Sequence, residues 1–593
     1  MRNYLSNNLR VKQGPAGFTA SKWFIAALPV LMGASFSVLN LQKFSSFSSD
    51  GSVLFMAGHG SFLLSGLPGY ETVNMPLFGT FVSMTLNLGI PPALLFIISQ
   101  LLIYALVFCA GCLLRGYWAG VLALMTAGLF EAGRAVTYDV EQSFYSFFLL
   151  LVMALLHLKR RENTLKNNLL AGLAVGASML VRSPLFLFPP VLILCDWLYG
   201  ERTRAFVRRS LVFMAASYVL LVPWNILNHS LTGRFTLFDA HSAKSNVITG
   251  ALGSVYTMEG DARKLAGIGS DDSAFVFYVR KAAENPLFFI LTVLRRLWHI
   301  FLFNPLLFGL LLLALLVNRD RDRRLIFGLP IFFIAIHSLL SVDKRYFYPM
   351  LYVLPPIIAA SLLPRRLIKS PGSCVFAEKT TVLFFLLSFC AVLSIEALMI
   401  VYPYRAAQNS AGNEAFVRTL DRFPNDRALQ EMKCRRMLDS CDYPGYYKCL
   451  VGYSEKFDDL FYRYFLSIMA ARSSSELAPP VGKNRELWRC LTAKMFREFE
   501  LGDKTSAIAS FRQISEIHNA AWHMLRGTPY KRDRELAAGI SRDTEYFWRR
   551  HARDILLMWP LERRVKILSR LEKKFSLPGE LKELGNSSGV PCK

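Results

Sequence analysis

Residues 45–79 read SSFSSDGSVLFMAGHGSFLLSGLPGYETVNMPLFG and place Asp50, His59 and Glu71 between two long apolar runs. A second acidic pair, Asp139 and Glu141, opens TYDVEQSFYSF. Arg182 closes the apolar run AGLAVGASMLVRSP, and Lys344, Arg345 and Tyr346 are consecutive in VDKRYFYP. A carboxylate can accept the proton of a hydroxyl as its oxygen attacks. Arg binds a phosphate through two parallel hydrogen bonds and Lys as a point charge, and either stabilises charge growing on a departing oxygen. Each group also has a plainer role. Asp50 would serve as a helix cap, Glu71 and His59 as polar loop residues, and Glu141 as a favourable charge at a helix N-terminus. Lys344 to Tyr346 would serve as interfacial anchors with an aromatic belt residue.

Positioning these groups falls to hydrophobic segments. The chain has 593 residues, of which 53% are hydrophobic and 13% aromatic, with a mean hydropathy of +0.32. That balance fits an α-helical membrane domain joined to a water-soluble one. Apolar runs at 22–41, 91–114, 117–136, 143–158, 167–181, 184–200, 210–227, 304–318, 325–342, 348–364 and 379–402 predict about eleven spanning helices. Residues 75–90 and 286–303 are also apolar, and either adds a span or lies flat in the interface. With eleven spans the inner loops LRGYW, HLKRRENTLKNN, YGERTRAFVRR, NRDRDRR and PRRLIKSPG are all basic. The topology therefore has a cytoplasmic N-terminal tail (1–21), a membrane domain (22–402) with outer loops at 42–90 and 228–303, and an outer C-terminal domain. These loops hold most of the short-loop Lys and Arg, and such loops are a plainer source than nucleic-acid binding for the net charge of +25. No nucleic-acid-binding motif accompanies it.

From about residue 403 the spanning runs stop, and amphipathic stretches such as ELWRCLTAKMFREFE predict a mainly α-helical soluble domain over 403–593. Cys434, Cys441, Cys449 and Cys490 fall in this outer domain, where one or two disulfides can persist. Their spacing does not choose among the three pairings, and a zinc site is the rival use.

The order of these features resembles the GT-C glycosyltransferases, in particular relatives of the protein mannosyltransferases and of the lipid A aminoarabinose transferase. The stretch SSDGSVLFMAGHGSFLLSG…ETVNMPLFG follows the outline of that family's first outer loop. AGLAVGASMLVRSPLFLFPP is similar to its glycine-rich helix ending near an Arg, LVPWNILNHSLTGRF to its Pro-Trp segment, and DKRYFYPMLYVLPPIIAA to its late Arg-Tyr motif. The resemblance covers roughly residues 20–365. It departs where the family's acidic pair is reduced to Asp50-Gly51 and where Leu54 or Phe55 replaces a common Tyr.

The resemblance implies a membrane glycosyltransferase that uses a polyprenyl-phosphate-linked sugar, acts at the outer face on a lipid, glycan or protein acceptor, and inverts the anomeric carbon. On that basis Asp50 is the expected general base, with Glu71 and Glu141 as further acidic candidates. Lys344, Arg345, Tyr346 and Arg182 are the expected ligands of the donor phosphate, and Arg295 and Arg296 on the amphipathic 286–303 stretch either help to hold the lipid carrier or face anionic lipid. No cofactor is required, although Asp50 with Asp139 or Glu141 would suit a divalent ion. A bacterial inner membrane with a periplasmic C-terminal domain is the expected location. Three other functions stay open: a lipid or solute transporter or flippase, a ligase or polymerase of lipid-linked oligosaccharides, and a scaffold whose outer domain binds an envelope partner.

Overall fold

The computed structural model describes residues 31–35, 75–78, 81, 92–132, 140–199, 203–232, 242–257, 262–269, 272–318, 327–363, 371–401, 430, 433–434, 437, 443–456, 485–511, 530–541, 556, 561–574 and 577. The 42–90 loop, with Asp50, His59 and Glu71, therefore lies almost wholly outside the described residues, as does Asp139. What is described is helical. A helix coincides with each apolar run from residue 91 onward. Ile97–Arg115, Glu141–Arg161, Pro286–Phe303 and Ala377–Ser394 are long and apolar enough to cross a membrane, and five shorter apolar helices accompany them.

The helices α1 (Pro92–Arg115) and α2 (Tyr117–Ala132) form a hairpin turned on a single residue, Gly116. Its φ of 95° is left-handed, which glycine adopts without a Cβ clash, and its N–H closes on Cys112 O at 2.7 Å. The helices α3 (Val140–Arg161) and α4 (Leu165–Val181) follow. Beyond them come α5 (Phe188–Tyr199), α6 (Arg204–Val219) and α7 (Leu221–Thr232). Gly172 and Gly176 stand four residues apart on α4 and let it close on α6. A Cβ on Gly172 would lie 2.6 Å from Phe213 O, and one on Gly176 would lie 2.9 Å from Ser217 O. Small residues at this spacing matter most where helices meet in lipid, because close backbone packing there replaces the hydrophobic drive.

Three short helices, α8 (Ser242–Ala251), α9 (Ala262–Ala266) and α10 (Ala274–Glu284), fill the 228–303 region. They lead into α11 (Pro286–Phe303) and α12 (Pro305–Val317), which are separated by Asn304 alone. Both helices start with Asn-Pro-Leu. Asn285 and Asn304 cap by accepting from Phe288 N at 3.1 Å and Leu307 N at 3.3 Å, and each proline sits at the first helical position, where no N–H is needed. Then come α13 (Gly328–Leu339), α14 (Met350–Leu362) and α15 (Pro371–Val401). α14 is the hub: all residues from Met350 to Ala360 are buried, and it packs on α1, α2, α3 and α12.

Polar side chains gather at the two ends of this bundle. At one end Arg115 donates to Ala360 O, and Asn318 donates to Ser361 Oγ at 3.3 Å. At the same end Lys159 and Arg160 meet Asp196 at 3.2 and 3.0 Å, Arg161 meets Glu378 at 3.3 Å, and Arg209 donates to Asn163 O at 2.9 Å. The opposite end carries Glu141, Arg182, the 242–257 segment and residues 337–347.

α11 is turned inside out. Thr292, Arg296 and His299 are buried, whereas Leu287, Ile290, Leu291, Leu294, Trp298 and Leu302 are exposed. Arg296 is fully buried and donates to Gly250 O at 2.7 Å, Ser254 O at 2.7 Å and Leu339 O at 2.9 Å. A helix with its cation inside and its leucines outside is matched to a hydrocarbon surrounding. By length α11 would suffice to cross, since its 18 residues span about 27 Å. Its neighbours argue otherwise. Phe288 covers Gly253, Arg296 holds residues 250, 254 and 339, and Phe303 packs near Phe347 and Tyr348. All of these belong to one end of the bundle, so α11 lies along that end with its apolar face outward.

In the C-terminal region α16 (Tyr443–Lys456) carries the disulfide Cys434–Cys449, one of the pairings the sequence left open. α17 (Arg485–Leu501) packs on α19 (Leu561–Glu572), tied by Arg563 of α19 on Glu500 of α17, which Arg497 of α17 also pairs. Between them in sequence, α18 (Lys531–Ser541) docks instead on α9 and the 252–256 segment of the bundle.

The Gly172 contact gives a direct check. Gly172→Val must push α4 off α6, and overpacking of this kind costs about 1–3 kcal/mol. Thermal unfolding in detergent should show a clear drop for Gly172→Val and little change for Gly309→Ala, where a Cβ meets nothing within 4 Å.

Candidate active site

Three segments distant in sequence meet at the end of the bundle that α11 skirts. α3 starts at Val140, which puts Glu141 in its first turn, where the helix dipole favours a negative charge. α4 ends at Val181, and Arg182 follows in an extended conformation (φ −153°, ψ 143°) as the chain turns into Ser183-Pro184. The third segment follows α13. Val342 pairs with the 255–257 segment in an isolated parallel bridge, and Asp343 then caps a 3-10 turn, Lys344–Phe347. The Asp343 carboxylate accepts from Arg345 N at 3.0 Å and lies 2.9 Å from Arg345 Nε.

Arg182 is the point of contact. Its Nη1 is 4.0 Å from Glu141 Oε2, and both side chains keep about a fifth of their surface exposed (23% and 20%). Its guanidinium lies 5.1 Å from the Tyr346 ring centroid, and that of Arg345 lies 5.7 Å from the same ring. The Tyr346 hydroxyl accepts from Asn246 Nδ2 at 3.2 Å. Asn246 in turn adjoins Ser341 and Thr249, whose hydroxyls are 2.9 Å apart. Behind this layer His337 stands 5.7 Å from the Tyr346 ring, and Tyr145 is fully buried one helical turn after Glu141. The Tyr145 hydroxyl has no hydrogen-bond partner among the described residues.

Glu141, Arg182, Arg345 and Tyr346 are thus brought together. Lys344 is exposed, and its charge is felt at His299 on α11. Asp50 and Glu71 lie outside the described residues, so their placement relative to this cluster is not described. Arg296 differs from expectation: its donors are committed to backbone carbonyls inside the fold, which removes it as a ligand of a lipid carrier, and Arg295 beside it is exposed. No group of three or more metal-ligating side chains occurs among the described residues.

Several participants have only a weak sequence signal. Asp343 could be found as an N-cap, being an Asp two residues before the N–H it accepts. Tyr145 follows Glu141 by four residues and so shares its helix face. Asn246 carries no local signal. Asp533 on α18 carries none either, yet it is fully buried against this end of the bundle. Its two oxygens accept from Val255 N at 2.9 Å and Tyr256 N at 3.0 Å. Burial pushes its carboxyl above the ordinary value, against the pull of those N–H groups and of Arg296. Beside it, burial pushes the Tyr256 phenol up to about 12, with Tyr530 and Asp533 adding to the effect.

The arrangement offers a guanidinium pair over an aromatic ring with a carboxylate alongside, at the edge of an apolar bundle. Two guanidinium groups so placed can receive an anionic headgroup through directed N–H bonds. Comparison of the chain with protein-family models, with curated proteins and with solved structures finds no match.

The Glu141–Arg182 pair is long, at 4.0 Å, so it contributes little to stability by itself. A double-mutant cycle with Glu141→Gln and Arg182→Gln, read by thermal unfolding, should give a coupling below about 1 kcal/mol. A penalty of about 3–5 kcal/mol on removing one partner would instead mark a closed structural pair.

Proposed function

We propose that this chain is a membrane glycosyltransferase that moves a sugar from a polyprenyl-phosphate carrier to an acceptor hydroxyl or amine, with inversion at the anomeric carbon. The observation that carries this reading is the meeting at Arg182, where a carboxylate from α3, a guanidinium from the end of α4 and the Arg345–Tyr346 turn converge at the edge of an apolar bundle. A prenyl phosphate has matching needs, since its chain requires hydrocarbon and its phosphate requires directed cations at the membrane surface.

In this mechanism the acceptor oxygen or nitrogen forms a bond to the anomeric carbon as the bond from that carbon to the phosphate oxygen breaks. The bonding pair leaves on the phosphate. Arg182 and Arg345 stabilise the growing charge, with Lys344 adding a positive field and the Tyr346 ring steadying both guanidinium planes. The acceptor proton passes to Asp50 as general base. Glu71 orients acceptor or sugar, and Glu141 holds Arg182 in place. No cofactor is assigned, and a divalent ion would fall to Asp50 with Asp139 or Glu141.

The proposed setting is a bacterial inner membrane crossed about eleven times, with the N-terminus cytoplasmic and the C-terminal domain periplasmic. Two features support that orientation. Arg115, Lys159, Arg160, Arg161 and Arg209 gather at one end of the bundle, as cytoplasmic loops do. The tail bearing the Cys434–Cys449 disulfide docks at the other end, as expected for an oxidising compartment.

Sugar transfer in nanodiscs from defined polyprenyl-phosphate donors tests the reading. Asp50→Asn should lose at least about a hundredfold in rate while staying folded. Arg182→Ala and Arg345→Ala should each raise the donor KM. Full activity in Asp50→Asn would move the base to Glu141, and an inactive parent with every donor would shift the function to transport or scaffolding.

A further inference from the structure

The C-terminal helix α18 reaches into the end of the bundle that holds Arg182 and Tyr346, and it does so through one buried carboxylate. Val255 N and Tyr256 N, 278 and 277 residues away in sequence, both donate to Asp533. Arg532 Nε reaches Leu252 O at 3.1 Å, and the Tyr530 ring lies 6.2 Å from that of Tyr256 and 6.4 Å from that of His299. The anchored segment does not stop at Asp533. Val255 O accepts from Val342 N at 2.8 Å, Val342 O accepts from Thr257 N at 2.8 Å, and Thr257 Oγ1 donates to Ser341 O at 3.1 Å. The next residue after Val342 is Asp343, which caps the turn carrying Arg345 and Tyr346.

We propose that Asp533 is a positioning residue, through which the C-terminal helix fixes residues 342–346 against Arg182 and makes the tail a working part of the site. The physical reason is the shortness of the pairing. The 255–257 segment and Val342 form an isolated bridge, and so short a β-contact does not hold its own geometry. On the other edge of that bridge a carboxylate takes two successive peptide N–H groups, which pins the 255–256 backbone in register. Charge-assisted bonds of this kind are about twice as strong as neutral ones. With that hold removed, two buried N–H groups lose their acceptor and the segment has reason to shift. Val342 then moves with it, and so do the Asp343 cap and the Tyr346 ring beneath Arg182. What residues 342–346 bind rests on the function proposed above, whereas the mechanical link does not.

The experiment uses the full chain in nanodiscs, comparing the parent with Asp533→Ala and Asp533→Asn. Asn keeps the side-chain shape and one acceptor oxygen, and it carries both arms if the Ala variant does not fold. The first arm is amide hydrogen exchange. The expected result is faster exchange not only at 251–257 and 530–541 but also at Val342, Arg345 and Tyr346, on the order of tenfold or more, since local opening governs the rate. Faster exchange confined to the first two segments overturns the proposal and leaves Asp533 as a local anchor. The second arm is binding of undecaprenyl phosphate. It should weaken roughly tenfold in the variants, because misplacement by about an ångström is costly at a positioned site. Unchanged binding in a variant whose exchange has risen at 342–346 also overturns the proposal. A parent that binds no undecaprenyl phosphate would overturn the functional reading, and the exchange arm would still decide the link.

Discussion

One helix of the bundle has no exposed side, and the other helices take their places from it. Every residue of α14 from Met350 to Ala360 is buried. Such a helix is apolar all round and can only sit at a centre. Its carbonyls and caps therefore need partners from neighbours rather than from solvent. At its C-terminal end Arg115 donates to Ala360 O, which ties the α1–α2 hairpin to the axis. At its N-terminal end the chain arrives straight from the turn carrying Arg345 and Tyr346. In its first turn the Tyr352 hydroxyl lies 3.4 Å from Gln100 Oε1 on α1. The position of the candidate site thus follows from the register of a helix that cannot slide without unpacking at least four others.

The same economy of polar groups explains α11. A buried guanidinium is costly unless each of its donors is used. Arg296 meets that demand with carbonyls at the end of α13, in the last turn of α8 and in the turn that follows it. The result is a cross-brace between α8, α11 and α13 beside the site. Because the polar face of α11 is spent on this brace, its leucines and Trp298 point outward. Two features that would be faults in a water-soluble protein, a buried arginine and an exposed leucine stripe, become one consistent arrangement at an apolar surface.

Much of this was legible from local pattern. Apolar runs separated by basic loops located the helices from residue 91 onward, because helix length and charge bias are one-dimensional signals. Glu141, Arg182 and the Arg345–Tyr346 pair stood out because charges at the ends of apolar helices are conspicuous. Among the described residues four helices are long and apolar enough to cross, against the eleven runs counted in the sequence. Helices such as Gly328–Leu339 are too short by length alone, and α11, which is long enough, lies along one end. Arg296 looks lipid-facing in the sequence because its neighbours are, and only packing reveals that it turns inward. Asp533 was invisible for the opposite reason. In KRDRELAAG it sits among charges that all look solvated, and nothing local marks the one that turns inward.

The clasp between α18 and the 255–256 backbone also sets an order of events. Its two halves are separated by 278 residues of chain, nearly half the protein. Contacts of such separation form late, and domains generally fold in the order in which they are synthesised. The membrane helices can pack and the Asp343 turn can form well before residue 533 has been made. The end of the bundle that holds the candidate site then stays loosely held until α18 has been made and has docked on the 255–256 backbone. A molecule stalled or cut short during translation would therefore carry every residue of the candidate site and still lack the one that completes it.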